Sequence, residues 1–164
     1  RQELCERLNP RAGENQRVIS GRDEELAITY KDRSKGDLEA AFKEVQDSET
    51  RRGVTLAGPH RDEVKLEIAG RNAKDFGSEG QQRTVALALK LAQGEILREL
   101  GGRPPIYLID DVFGELDPRR RNALMNLLPV DTQKLVTTTN LDWWDRGRLE
   151  LGVITVKDGE LSKE

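Results

Sequence analysis

The sequence has few aromatic residues, one cysteine and no long apolar run. Phenylalanine, tryptophan and tyrosine together make up 4% of its 164 residues, and Cys5 is the single cysteine. One cysteine excludes an internal disulfide, which favours a reducing cytosol. No stretch reaches the roughly 20 apolar residues of a membrane-spanning helix, and the opening residues have no signal-peptide pattern. We therefore expect a cytoplasmic protein with no membrane partner.

Charged residues are abundant but nearly balanced. They form 35% of the sequence, and the formal net charge is −3. A strongly basic field typical of nucleic-acid binders is therefore lacking, so any DNA contact must come from a local patch or from residues outside this sequence. Apolar runs cluster after Gly53, which predicts a core mainly in the C-terminal two thirds. The sequence also opens within a helical pattern over residues 1–8, as a fragment would.

The residues before Gly53 are mostly polar, and their patterns predict short elements. Leu26, Ile28 and Tyr30 alternate with more polar residues, which predicts a strand with these three on one face. The elements predicted here are a helix over 2–8 that Pro10 ends, a strand over 25–30, a helix over 37–47 and a basic crossing between subdomains over 47–53.

After Gly53, predicted strands alternate with helices, as in a doubly wound α/β sheet. A long helix is expected from Ser78 to the Gly101-Gly102 pair, since glycines end helices. The apolar run 106–109 is expected to be a strand buried on both faces, as in a parallel sheet covered by helices. The inward stripe predicted for the long helix is Val85, Leu89, Ala92 and Ile96. The other predicted elements are a strand over 64–68, a helix from Asp117-Pro118, a strand over 134–138 and a hairpin over 152–162.

An acidic pair, Asp110-Asp111, directly follows the apolar strand. The C-terminal end of such a strand is where α/β sheets hold ligands. In P-loop nucleoside triphosphatases, a carboxylate at this place holds magnesium, and a neighbouring residue orients the attacking water. Adjacent carboxylates are costly without a cation, which favours a metal site. The alternative is a strand end whose acids cap a loop or face solvent.

A glycine-containing loop over residues 76–84 leads into the long helix. Ser78 is placed to cap this helix, and Gln81 follows three residues later, which predicts a capping box. A free helix N-terminus with backbone amides and a hydroxyl suits a phosphate group. By itself, a capping box is usually structural.

Three segments in this order resemble the motifs of ABC-type ATPases. Residues 76–84 resemble the signature, Asp110-Asp111 the Walker B acids, and 114–117 the D-loop. The same segments, together with 55–63 (Thr-Leu-Ala-Gly-Pro-His-Arg-Asp-Glu), are similar in sequence and order to the RecF family. The likeness is specific between about Gly53 and Asp117, and weaker as far as Asn140. Asp117 would in any case cap the helix that follows it.

The resemblance implies a fold and a division of the chain. The fold is α/β, a partial P-loop head of the ABC type, with a parallel or mixed sheet flanked by helices. Residues 1–52 are expected to be the tail of the arm subdomain (lobe II), and 53–164 the C-terminal half of the head. The half-sheet would either fold alone with an exposed edge or pair with another copy.

The resemblance also implies roles for individual residues. Asp110 would coordinate magnesium, and Asp111 would be the catalytic residue that orients or activates water. The signature residues expected to contact the nucleotide of the opposite subunit are Ser78, Glu79, Gly80 and Gln81. The D-loop residues expected at the dimer seam are Glu115, Leu116 and Asp117.

The sequence departs from relatives of the ABC type at several points. The signature reads Ser-Glu-Gly-Gln in place of the usual Ser-Gly-Gly-Gln, and Asp111 stands where many relatives have glutamate, which fits slow turnover. No histidine follows the D-loop, so Thr139 or Asn140 is a candidate γ-phosphate sensor, the alternative being a threonine-rich strand edge. The sequence contains no Walker A loop, so this chain alone is expected to bind ATP poorly, with no cofactor held by the fragment.

For an intact protein, the resemblance implies an ATPase that uses ATP and Mg²⁺. It would dimerise on DNA in an ATP-dependent manner, bind gapped, single- and double-stranded DNA, and hydrolyse ATP slowly. It would also help to load recombinase with RecR- and RecO-like partners during the SOS response. One alternative is the head of another ABC-type repair ATPase, of the SMC, RecN or overcoming-lysogeny-defect type. The other is a non-catalytic DNA-binding or interaction module, against which the intact acid pair argues.

Three further features have a structural and a functional interpretation. The turn at His60-Arg61-Asp62 is interpreted as a salt-bridged structural turn, with a DNA or inter-subunit contact as the alternative. The run 119–121 of arginines is usually a solvated face, although it could touch a partner or a phosphate. Trp143 and Trp144 are interpreted as packing in a lid in preference to base stacking.

Overall fold

The computed structural model describes residues 1–141 and 152–163, and the predicted mixed α/β class is confirmed. Its helices are α1 (Gln2–Ser20), α2 (Leu38–Arg52), α3 (Ala73–Phe76), α4 (Glu79–Gly101), α5 (Val112–Glu115) and α6 (Pro118–Leu127). Its strands are β1 (Leu26–Lys31), β2 (Glu63–Ile68), β3 (Arg71–Asn72), β4 (Tyr107–Asp110), β5 (Lys134–Thr137), β6 (Ile154–Lys157) and β7 (Glu160–Lys163). Trp143 and Trp144 lie outside the described residues.

The described strands form three small sheets, so the expected doubly wound sheet is wrong for this part of the molecule. Strands β1, β2 and β3 form an antiparallel sheet, β4 and β5 a parallel pair, and β6 and β7 an antiparallel hairpin. The connection from β1 to β2 returns the chain in the opposite direction, which gives the antiparallel sheet. Among the strands of the described ranges, only β4 and β5, which α5 and α6 connect, have the parallel arrangement that the α/β pattern predicted.

Helix α1 continues through Pro10, so its predicted end at this proline is wrong. An interior proline removes one backbone hydrogen bond and costs about 3 kcal/mol. Packing offsets this cost because Cys5, Ala12 and Ile19 are buried along the helix. The helix ends where Gly21 adopts a left-handed conformation. Ion pairs that fasten α1 to α4 join Arg7 to Glu99 and Arg11 to both Glu95 and Glu99.

The antiparallel sheet buries one face, as the alternating pattern predicted. Leu26 and Ile28 of β1 are buried, and Leu26 lies opposite the buried Ile68 of β2. Ala69 and Gly70 form the turn to β3, both with positive φ, as a tight two-residue hairpin requires. The core on this side consists of Cys5, Ala12, Leu26, Ile28, Ile68, Ala73, Val85 and Ala92. Residues before and after Gly53 therefore share one sheet and one core, and the domain boundary there stays a prediction.

Helix α2 extends to Arg52, so its predicted end at residue 47 is wrong, while a crossing between subdomains over residues 47–53 stays a prediction. Asp37 caps the start of the helix by accepting a hydrogen bond from the Ala40 amide at 2.9 Å. Helix-forming residues then continue to Gly53, which ends the helix in a left-handed conformation. No residue of α2 is buried, and its one aromatic residue, Phe42, is 42% exposed.

The long helix α4 begins and ends where the sequence predicted, and it separates the two cores. Its predicted inward stripe is confirmed, since Val85, Ala92 and Ile96 are buried and Leu89 is partly buried. The second core lies between α4, α6 and the parallel pair, and it consists of Ile19, Ala88, Leu91, Ile109, Phe113, Leu116, Leu124 and Leu128.

Strand β4 is buried on one face only, so its predicted burial on both faces is wrong. Ile109 is 9% exposed, whereas Leu108 is 75% exposed. The described residues supply α4 and α6 to cover one face, and none of them covers Leu108. The predicted terminal hairpin is confirmed, with Asp158 and Gly159 in its turn. In the ranges that the structure describes, no helix has the length and apolarity of a candidate membrane span.

Candidate functional site

The N-terminus of α4 has the predicted capping box. The Ser78 hydroxyl accepts a hydrogen bond from the Gln81 amide at 3.3 Å, and the Gln81 side chain accepts one from the Ser78 amide at 2.9 Å. Gln82 donates to the carbonyls of Lys74 and Gly77, at 3.1 and 3.0 Å. The loop before the helix is therefore tied to the first turn of α4, which gives the predicted signature segment a defined shape.

The side chain of Arg83 joins the predicted signature to the predicted D-loop. Its guanidinium lies 2.7 Å from a carboxylate oxygen of Glu79 and 3.3 Å from one of Glu115. Arg83 is 40% exposed and Glu115 is 57% exposed, so water screens this pair and its stabilisation is modest. Its significance is geometric, because it holds two segments together that lie more than 30 positions apart in the sequence.

The D-loop is anchored in the second core and leads directly into α6. Leu116 is 5% exposed, and it is the apolar anchor of the segment. Asp117 caps α6 by accepting a hydrogen bond from the Arg120 amide at 3.0 Å, with Pro118 in the first turn. The predicted capping by Asp117 is thus confirmed, while its place at a dimer seam stays a prediction.

The arginine run at the start of α6 contacts the surrounding segments and is not simply a solvated face. Arg119 donates to the Gly21 carbonyl at 2.9 Å, and Arg121 donates to the Leu116 carbonyl at 2.5 Å. The Arg120 guanidinium lies 3.5 Å from the Asp117 carboxylate. It also lies beside Gly80, where an added Cβ would come within 2.9 Å of it. The arginine run therefore connects the D-loop segment with the start of the signature helix α4 and with the end of α1.

Gln81 connects the signature helix to the segment between α1 and β1. Its side-chain amide donates to the Glu24 carboxylate at 3.2 Å, and Glu24 also lies 3.4 Å from Arg22. The Gln81 side chain thus makes two hydrogen bonds. Its oxygen accepts the capping-box bond from the Ser78 amide, and its nitrogen donates to Glu24. A residue from the predicted arm tail therefore contacts the predicted signature.

The acid pair lies at the C-terminal end of β4, where one threonine of the neighbouring strand contacts both residues. The Thr137 hydroxyl donates to the Asp110 carboxylate at 2.5 Å. The Asp111 amide donates to the same hydroxyl at 3.1 Å and to the Thr137 carbonyl at 3.2 Å. Both carboxylates are exposed, so they are accessible to a ligand.

Asp111 adopts a left-handed backbone conformation with φ 49° and ψ 17°. This region is strained for most residues other than glycine, and aspartate is among those that tolerate it best. The conformation turns the chain sharply from β4 into the short helix α5. Gly114 follows on that helix, and a Cβ placed there would lie 3.2 Å from an Asp111 carboxylate oxygen.

The oxygen donors at this strand end fit a magnesium ion only in part. Magnesium is usually bound through one or two carboxylates, with waters and substrate phosphates as its other ligands. Asp110 provides such a carboxylate. Within residues 1–141 and 152–163, no group of three or more histidine, cysteine or acidic side chains could hold a metal. These oxygen donors therefore fit an ion whose other ligands are nucleotide phosphates and waters. They do not fit a metal ion whose ligands are all protein side chains.

The candidate sensor residues follow directly after β5. Thr139 and Asn140 are exposed, and the Thr138 hydroxyl donates to the Asn140 carbonyl at 2.8 Å. They lie at the same end of the parallel pair as Asp110, as the sequence pattern predicts for a phosphate sensor, but their role stays a prediction. Sequence reasoning missed Thr137 as the partner of the acids. The signal that identifies it is the parallel register that places Thr137 opposite Asp110.

The turn at His60-Arg61-Asp62 supports the structural interpretation. Hydrogen bonds stabilise the turn where a salt bridge was expected. Arg61 donates to the Thr55 carbonyl at 2.9 Å, and Asp62 accepts a hydrogen bond from the Tyr30 hydroxyl. The bond to Tyr30 lowers the pKa of Asp62 and raises the pKa of Tyr30. His60 is exposed at the surface of the turn.

Comparisons with known proteins identify relatives named RecF. A comparison with protein-family models gives no match. The DNA replication and repair protein RecF of Lactobacillus delbrueckii subsp. bulgaricus is 44% identical over 148 residues, which cover 82% of this chain and 39% of that protein. The protein of the same name from Acaryochloris marina is 40% identical over 172 residues, which cover 98% of this chain and 46% of that protein.

Solved structures give the same result. A structure of the recombination mediator protein RecF-ATPrS in the RecFOR pathway matches with a TM-score of 0.77 and 30% identity, covering 96% of this chain and 44% of that chain. The corresponding RecF-ATP structure matches with a TM-score of 0.73 and 29% identity. The chain spans less than half the length of these relatives. It belongs to the RecF family and corresponds to the C-terminal part of that family's members.

Proposed function

We propose that this chain supplies the signature, Walker B and D-loop segments of a RecF-type ATPase head that acts in DNA replication and repair. The observation that carries the proposal is the placement of Asp110 and Asp111 at the C-terminal end of a parallel strand, both held by Thr137. The names of the relatives support the role in replication and repair, and the RecF structures with ATP and ATPrS support nucleotide binding. Family membership favours this proposal over an SMC, RecN or overcoming-lysogeny-defect head.

We assign the roles within such a head as follows. Asp110 would hold Mg²⁺, which would neutralise phosphate charge when it is bound with ATP. Asp111 would orient the attacking water, and Thr139 or Asn140 would contact the γ-phosphate. The residues assigned to the nucleotide of the opposite subunit are Ser78, Glu79, Gly80 and Gln81. The residues assigned to the dimer seam are Glu115, Leu116 and Asp117.

The whole protein, on this proposal, dimerises in the presence of ATP, binds gapped DNA and assists recombinase loading with RecR- and RecO-like partners. The description of a structural neighbour as a recombination mediator in the RecFOR pathway supports this. The phosphate-binding loop would come from an N-terminal portion of the kind that the relatives have. Exposed apolar side chains on and beside β4 support packing against that portion; they are Leu97, Ile106 and Leu108. Residues 1–52 would then be the tail of the arm.

Reconstitution of ATP hydrolysis tests the proposal. The chain is assayed alone and after mixing with the N-terminal portion of the Acaryochloris marina relative that lies outside the match. We expect hydrolysis only in the mixture, and its loss in Asp111→Asn. Asp158→Asn is the matched control, because Asp158 has a similar left-handed backbone, with φ 52° against 49° for Asp111, but lies in the terminal hairpin.

Two results would contradict the proposal. A mixture that assembles, as shown by size-exclusion chromatography, but does not hydrolyse ATP would favour a non-catalytic interaction module. Hydrolysis by the chain alone, retained in Asp111→Asn, would show that the acid pair is not the catalytic site.

A further inference from the structure

Thr137 occupies the position on β5 that lies opposite Asp110 in the parallel pair. Its hydroxyl donates to Asp110 Oδ1 at 2.5 Å and accepts from the Asp111 amide at 3.1 Å. A threonine hydroxyl has one proton and two lone pairs. It can therefore form both bonds at once, with its single proton committed to the carboxylate.

The two bonds have different consequences for the acids. The bond to Oδ1 fixes the rotation of the Asp110 carboxylate and engages only one of its two oxygens. The bond from the Asp111 amide fixes the peptide between the acids, just before Asp111 enters its left-handed conformation. Strained backbone persists only where its surroundings hold it in place. Thr137 supplies two such restraints, through its hydroxyl and its carbonyl.

The residue type suits this task. Threonine is branched at Cβ, so its χ1 angle has few options on a strand and its hydroxyl stays in place. Serine would keep the hydroxyl with more rotational freedom, and valine would keep the shape without the hydroxyl. A comparison of threonine, serine and valine at position 137 therefore separates the effect of the hydrogen bond from the effect of side-chain packing.

We propose that Thr137 is a positioning residue that orients the Asp110 carboxylate toward a nucleotide-bound divalent cation and holds Asp111 in its left-handed conformation. This inference rests on the proposed function, because it assigns Asp110 to the cation. It differs from the sensor role of Thr139 or Asn140, since Thr137 acts through the acids and does not itself contact the nucleotide. Groups that orient metal ligands typically contribute 10- to 100-fold to metal affinity or activity.

The test uses the assembled mixture of this chain with the N-terminal portion of the Acaryochloris marina relative. Binding of Mn²⁺ in the presence of adenylyl-imidodiphosphate is followed by the electron paramagnetic resonance signal of free Mn²⁺. ATP hydrolysis is measured as a function of Mg²⁺ concentration, and thermal unfolding is recorded for each variant. The variants are Thr137→Val, Thr137→Ser, Asp110→Asn and, as a matched control on an exposed strand, Thr155→Val.

We expect Thr137→Val to weaken Mn²⁺ binding and to raise the Mg²⁺ requirement for hydrolysis, each by about 10- to 100-fold. Thr137→Ser should retain most of the Mn²⁺ affinity and a nearly normal Mg²⁺ requirement for hydrolysis. Thr155→Val should resemble the unchanged protein. Thermal unfolding should be similar in Thr137→Ser, Asp110→Asn and Thr155→Val, and only slightly lower in Thr137→Val, because position 137 is exposed but loses its side-chain hydrogen bonds. If the role of the hydroxyl were purely structural, cation affinity would not change in a variant whose thermal unfolding is unchanged.

The outcomes separate this inference from the proposed function. If Asp110→Asn loses cation binding and hydrolysis while Thr137→Val keeps both, Thr137 is not a positioning residue and the proposed function stands. If Asp110→Asn keeps both, the assignment of the cation site is wrong and the role of Thr137 falls with it. Should Thr137→Val fail to fold, Thr137→Ala replaces it, and equal cation binding by the alanine and serine variants overturns the proposal.

Discussion

The two sides of α4 differ in how completely the described residues cover them. Toward α1 and the antiparallel sheet, buried side chains form a core and ion pairs join the helices, and a groove of about 270 Å³ remains beside β2. Toward β4, a groove of about 380 Å³ remains, with mostly apolar residues along it. Leu97, Ile106 and Leu108 border this groove and are 51%, 59% and 75% exposed.

This difference follows from the two kinds of sheet. An antiparallel sheet can leave one face in water, and β1 and β2 accordingly alternate between apolar and polar residues. A parallel sheet is normally covered on both faces, and β4 accordingly has apolar residues on both. The first side therefore has its covering helices within this chain, whereas we expect the second to be covered by another part of the protein or by a second copy.

Paired truncations of strand residues give the largest expected contrast between the two sides. Ile28→Ala removes a side chain that is 7% exposed, and we expect it to lower the free energy of unfolding by about 2–5 kcal/mol. Leu108→Ala removes one that is 75% exposed, and we expect a change within about 0.5 kcal/mol. Urea denaturation of the chain alone measures both.

The same pair tests whether the groove is free in solution. If Leu108→Ala destabilises the chain as much as Ile28→Ala does, Leu108 is covered in solution. A dependence of that loss on protein concentration would identify a second copy as the cover. In the mixture with the N-terminal portion, we expect Leu108→Ala to weaken assembly, which sedimentation can measure.

Alanine substitutions at two helix glycines should change the free energy of unfolding by smaller amounts and in opposite directions. Gly94 on α4 faces β4, and an added Cβ would lie 2.2 Å from the Tyr107 hydroxyl oxygen and 2.9 Å from its ring. Gly94→Ala should therefore destabilise the chain by about 1–3 kcal/mol through overpacking. Gly13 on α1 faces β1, where a Cβ would lie 3.6 Å from the Leu26 carbonyl, an ordinary contact. Gly13→Ala should stabilise the chain by about 0.5–1 kcal/mol through helix propensity. Thermal unfolding compares them, and a stabilising Gly94→Ala would show that Tyr107 moves freely in the groove.

Features determined by a few neighbouring residues could be predicted from the sequence. The capping box at Ser78 and the cap at Asp117 depend on residues within one helical turn, and both were found as expected. Features determined by distant partners could not. Pro10 remains in a helix because α4 packs along α1, and Leu108 is exposed because α4 and α6 pack on the opposite face of β4.

The candidate site divides in the same way. The motifs at Asp110 and Glu115 could be recognised from sequence because order and spacing identify them. The bonds from Thr137 to Asp110 and from Arg83 to Glu115 could not, because each joins segments whose approach depends on strand register or helix packing. Local patterns therefore predicted the candidate reacting groups, and the fold shows which residues contact them.

The smallest expected effect concerns the ion pairs on the α1 side. A hydrogen bond from Arg11 and one from Arg7, together with the charges of both arginines, lower the pKa of Glu99. A carboxylate with a lowered folded-state pKa contributes stability above its unfolded pKa of about 4.3, and this contribution is lost as the pH falls through the folded value. Unfolding free energy should therefore fall on acidification below about pH 4, and Glu99→Gln should reduce that fall. Glu160→Gln, in the exposed terminal hairpin, is the control. Identical pH profiles for the two variants would mean that water screens the Glu99 pairs fully, and that apolar packing alone makes the α1 side the more complete one.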